Sequence, residues 1–72
     1  MIVHLGVYNH LETSKDYIYL CKAYDAPEIV QLYDIVTETG LGVSIDVFNR
    51  EYRFTGKVFD DQTGSIIEKN II

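Results

Sequence analysis

Apolar and polar positions alternate along MIVHLGVY: Met1, Val3, Leu5 and Val7 fall on one side, with His4, Gly6 and Tyr8 between them. That period of two predicts a strand. After the polar connection NHLETSKD, the stretch YIYLCKAY sets Tyr17, Tyr19, Cys21 and Ala23 against Ile18, Leu20, Lys22 and Tyr24. A second strand rich in β-favouring aromatics is expected there, paired with the first as an antiparallel hairpin.

The period changes in DAPEIVQLYDIVTETG, residues 25–40. Asp25 and Glu28 have capping-box spacing, Pro27 suits a first helical turn, and Gly40 supplies a stop. At 100° per residue Ala26, Ile29, Leu32, Tyr33 and Val36 form one broad apolar side, so a helix resting on a sheet is expected. Beyond Gly42, the stretches VSIDVF, NREYRFTGKVF and SIIEKNII read as three strands. Turns are expected at Asn49-Arg50-Glu51 and at Asp60-Asp61-Gln62-Thr63-Gly64. The predicted fold is α+β, a five-stranded mostly antiparallel sheet in the order ββαβββ with one helix on one face. One helix cannot cover both faces. The second face, with a share of Phe48, Tyr52, Phe54, Phe59 and the Ile-rich tail, must curl on itself or meet a partner, a homodimer being the simplest.

With 72 residues the chain has room for one domain, spanning 1–72. A chain this short hides only about 60% of its unfolded surface, so its core is thin. The hydrophobic content of 47% argues against disorder. Cys21 is the only cysteine and cannot close an internal disulfide. The start lacks a signal-peptide pattern and no apolar run reaches membrane length, so a cytoplasmic protein with no membrane contact is expected.

Charge narrows the functional classes. The net charge is −5, and the excess acid lies between Glu12 and Asp46, where only Lys15 and Lys22 oppose it. That distribution opposes direct nucleic-acid binding and favours a partner protein with a basic surface. On the expected helix Glu28, Asp34 and Glu38 point away from the core with Ile35 among them. Asp34 and Glu38 repel at a spacing of four, and Glu38 meets the negative helix end. These four residues are the candidate partner-binding site, an acidic docking face with an apolar anchor. A solvated face that merely aids solubility explains the same pattern more cheaply.

No catalytic, cofactor or metal motif is found. His4 and His10 lie about 20 Å apart on an extended strand, too far to share an ion with Cys21. Cys21 is expected to be a buried thiol, and the tyrosines half-buried sheet residues. The loop 60–64 lacks the alternating ligands of a calcium site. The function expected is a non-enzymatic protein-binding module without cofactors, an inhibitor or modulator that occupies a basic, nucleic-acid-binding site on another protein. Small acidic phage or plasmid proteins offer the analogy. The competing expectation is a homo-oligomeric accessory subunit assembled through its sheet face and the strand 66–72.

Overall fold

The computed structural model describes residues 4–68 and resolves them into six strands and one helix. The strands are β1 (Gly6–His10), β2 (Asp16–Lys22), β3 (Ile29–Asp34) and β4 (Thr39–Ser44), then, after helix α1 (Ile45–Glu51), β5 (Tyr52–Asp60) and β6 (Ser65–Glu68). All pair antiparallel in one sheet of order β4-β3-β2-β1-β5-β6. The α+β class, with one helix packed on an antiparallel sheet, is as expected. The order ββββαββ and the sixth strand are not.

Two segments exchanged roles. Residues 29–44 form a hairpin, with Ile29 opposite Ser44 and Asp34 opposite Thr39, in place of the expected helix. Val30, Leu32 and Asp34 fit a period of two as well as Ile29, Leu32, Tyr33 and Val36 fit a helix, so the pattern alone is ambiguous. The β-branched Ile29, Val30, Thr39 and Val43 favour the extended form. Pairing with β2 on one side and β4 on the other then sets Val30 and Leu32 on the sheet face covered by Phe48, where both are completely buried. A lone surface helix would have buried one stripe only.

The helix instead forms where a strand was expected. Ser44 is its N-cap, its hydroxyl accepting from the Val47 N–H at 3.2 Å. Asp46 lies in the first turn and Arg50 in the last, each suited to the nearby end of the helix dipole. Its register places Ile45, Phe48 and Tyr52 at i, i+3 and i+7, and Phe48 is its one buried side chain. The Asn49-Arg50-Glu51 turn therefore does not exist, being the last turn of α1. Because β4 is a sheet edge and β5 lies beside β1, α1 carries the chain across the sheet face between them.

Phe48 is the centre of the main core. It meets Tyr8 with ring centroids 4.7 Å apart, Tyr52 at 5.5 Å and Tyr19 at 5.9 Å, with Val30 and Leu32 beside them. Offset and edge geometries of this kind suit the ring quadrupoles. Burial pushes the Tyr19 and Tyr52 phenols above the ordinary tyrosine range. The tyrosines divide accordingly: Tyr8, Tyr19 and Tyr52 are buried, Tyr17 and Tyr33 are half-buried, and Tyr24 is wholly exposed.

Three hairpin loops share one construction. Residues 11–14, 35–38 and 61–64 each end on a left-handed residue, Ser14 (φ 60°), Glu38 (φ 56°) and Gly64 (φ 72°). In each, the side chain just before the loop accepts from within it. His10 Nδ1 accepts from the Thr13 N–H, Asp34 Oδ1 from the Val36 and Thr37 N–H groups, and Asp60 Oδ1 from the Gln62 N–H. Each loop has Thr in third place. The recurrence of His/Asp-x-x-Thr at 10, 34 and 60 is thus a turn signature, visible in the sequence only after the fact. Of the turns expected, 60–64 is present as read.

The first strand starts late. Leu5 has a left-handed φ of 59°, which interrupts the alternation anticipated from Met1 to Tyr8. Hydrogen bonds hold it there, its N–H donating to Tyr19 and its carbonyl accepting from Phe59. Further along, β5 bulges opposite β1 at Gly56, whose φ of 86° suits glycine, and the Thr55 hydroxyl donates to the Val7 carbonyl at 2.8 Å across the gap. Residues 1–3 and 69–72, parts of the first and last expected strands, lie outside the described residues. No described helix is long and apolar enough to cross a membrane.

Candidate functional site

The face away from α1 holds the candidate site. Val7 pairs with Ile18, and Ile18 with Tyr33, so these three share that face. Although β6 and β3 are far apart in strand order, Ile66 and Ile35 line one groove, which requires the sheet to coil about this face. Coiling buries Val7 and Ile18 almost completely.

Coiling leaves an open cleft of about 340 Å³. Its walls are Leu5, Ile18, Leu20, Tyr33, Ile35 and Phe59, all apolar or aromatic. The cleft continues past Ile35 into a groove lined by Lys15, Asp16, Val36 and Ile66. Val36 is 87% exposed and Ile67, the residue after Ile66 on edge strand β6, is 45% exposed. The cleft, Val36 and Ile66 together make an exposed apolar surface, edged by Lys15, Asp16 and Thr37, of the kind that marks binding sites on small proteins, whereas Ile67 faces the other side of β6. Leu5, held in a strained conformation, forms one wall; outliers of this kind concentrate at functional positions.

The four residues grouped on the expected helix are separated here. Ile35 lines the cleft, and Glu38 is exposed in the same turn. Glu28 is exposed at the other end of the hairpin, roughly 20 Å away by strand geometry. Asp34 is buried, only 3% exposed, and its carboxylate pairs with Lys15 Nζ at 2.9 Å. The Lys15 hydrogen bond holds the Asp34 carboxyl well below the usual range, at about 2, with the Thr37 and Val36 N–H groups assisting against burial. Lys15 is raised in turn and also lies over the Tyr17 ring, 5.8 Å from its centroid. The like-charge conflict read between Asp34 and Glu38 therefore does not arise, since no helix stacks them and Asp34 is neutralised. Without that helix there is no acidic ring around Ile35.

A second polar group pins the opposite end of the core. His10 Nε2 lies 3.2 Å from Glu51 Oε1, and His10 Nδ1 lies 3.1 Å from Thr13 Oγ1. The imidazole also packs on Tyr52, centroids 4.6 Å apart. Its hydrogen bond, with one from Arg50, lowers the Glu51 carboxyl below its ordinary range. Cys21, expected to be buried, is exposed; a bulge between Tyr19 and Cys21 upsets the alternation that would have turned it inward.

Leu5, Leu20 and Tyr33 carry no local signal that marks them as cleft residues, whereas Phe59 is among those expected on the face left uncovered by the helix. Leu20 and Phe59 each fall on one side of an expected strand, and nothing local says that those sides meet. Comparison of the chain with protein-family models, with curated proteins and with solved structures yields no match.

Proposed function

We propose that the protein is a small, acidic, non-catalytic protein-binding module whose contact surface is the apolar cleft, not a helix face. One observation carries this reading: a cleft walled entirely by apolar and aromatic side chains runs into the exposed Val36 and Ile66. Such walls offer no group to bind or activate a polar substrate, but they accept a partner's apolar side chain. Asp16 borders the groove and Glu38 shares the turn of Ile35. With a net charge of −5, they favour a partner that surrounds its apolar anchor with Lys or Arg. A modulator that masks a basic site on another protein fits this chemistry.

Self-association is the second reading, favoured by exposed Ile66 and Ile67 on edge strand β6. One experiment treats both. The wild-type chain and an Ile35→Asp/Val36→Asp variant are used to capture partners from host lysate at low and high salt, and both are sedimented alone over a range of concentrations. A partner retained by the wild type, weakened by salt and lost with the variant supports the module. Equal capture by the folded variant refutes the cleft, and concentration-dependent dimerisation abolished by the variant selects the second reading.

A further inference from the structure

We propose that His10, Glu12 and Glu51 form a binding site for a divalent transition-metal ion of the Zn2+ class. Their ligand atoms all lie within 4.8 Å of one another, although Glu51 is 41 positions from His10 in the chain. Two glutamates alone would be an acidic patch; the imidazole gives the cluster its metal chemistry. His10 closes β1 opposite Tyr52, and the Leu11 N–H donates to the Glu51 carbonyl at 2.9 Å, so backbone pairing fixes both ends.

The spacing fits an ion. Two donors bound to tetrahedral zinc at about 2.0–2.1 Å stand roughly 3.3 Å apart. His10 Nε2 and Glu51 Oε1 stand 3.2 Å apart. A metal takes the position of the proton they now share, and Glu12, exposed in the 11–14 loop, closes as third ligand by rotating its side chain. With the metal on Nε2, the proton of the neutral imidazole moves to Nδ1, where Thr13 Oγ1 at 3.1 Å accepts it in place of the hydrogen bond that Nδ1 otherwise takes from the Thr13 N–H. Such outer partners orient metal-bound histidines. Arg50 engages the other oxygen, Glu51 Oε2 at 3.3 Å, and leaves Oε1 to the ion. One nitrogen and two carboxylates select zinc, cobalt or nickel over calcium and magnesium, which prefer all-oxygen sites. Water completes the coordination.

The test uses the full chain with His4→Ala and Cys21→Ser, which removes the exposed imidazole and thiol outside the site. Zn2+ is titrated while imidazole nitrogen NMR and thermal unfolding are followed. Saturable one-to-one binding at micromolar zinc is expected, with the His10 Nε2 resonance shifted, the melting temperature raised, and no response to equal Mg2+. His10→Ala removes the ring packed on Tyr52 and can unfold the chain, so Glu12→Gln decides: affinity should fall about 10-fold or more, and about 10-fold for Thr13→Val. No saturable binding, no shift at His10, or unchanged affinity in Glu12→Gln overturns the proposal.

Discussion

Phe48→Ala tests whether α1 holds the core. Phe48 is 2% exposed and is the only buried side chain of a seven-residue helix that is too short to persist unaided. Truncating a buried phenylalanine costs about 3–5 kcal/mol, since transfer energy and packing are both lost. Here the void opens between Tyr8, Tyr19 and Tyr52, which β1, β2 and β5 hold in place, so collapse is restricted and the upper half of that range applies. A chain of 72 residues has a total stability of about 4–11 kcal/mol. The variant should therefore lose much of its urea resistance and, at about 4–8 °C per kcal/mol, melt at least about 16 °C lower. Urea unfolding followed by near-ultraviolet circular dichroism reads the loss directly. Val36→Ala, at a residue 87% exposed, serves as the control and should stay within about 0.5 kcal/mol of wild type. A Phe48→Ala loss below about 1 kcal/mol would show that the helix does not close the aromatic core.

The left-handed loop ends give two substitutions of opposite sign. Glu38→Gly relieves the side-chain clash at φ 56° and should stabilise by up to about 1 kcal/mol, whereas Gly64→Ala, at φ 72°, should destabilise by a similar amount; thermal melts that move both in one direction would contradict the turn geometry. Because the Asp34 carboxyl is held at about 2, below its unfolded value near 3.8, its contribution is present above the unfolded value. It is lost as pH falls through the range between the two. Urea titrations across that range should show stability declining in wild type and a flatter profile in Asp34→Asn, and parallel profiles would refute the pairing with Lys15. Cys21 should react stoichiometrically with a thiol reagent in the native state, because its side chain is exposed; modification only in denaturant would place it inside.

Several features follow from the residues themselves. Period-two alternation and aromatic content mark β2 and β5 wherever they pair, and Asp60 through Gly64 makes its turn from Asx chemistry and a glycine. Net acidity also follows directly from composition. Tertiary structure decided the segments that fit two periods. Residues 29–34 satisfy helical and extended patterns alike, and only as a strand between β2 and β4 do they place both Val30 and Leu32 under the aromatic cluster, completely buried. Residues 45–51 likewise alternate like a strand, but the Ser44 cap and the aromatic pocket awaiting Phe48 make them a helix. The acidic grouping depended on the first of these choices, so Asp34 became buried and paired with the exposed Lys15 while Ile35 joined the cleft. The cleft itself is set by coiling of the sheet, which brings Phe59 and Ile35 to one surface although no local pattern links them. Periodicity records the faces an element can offer; which face is buried depends on the area that partners distant in sequence cover.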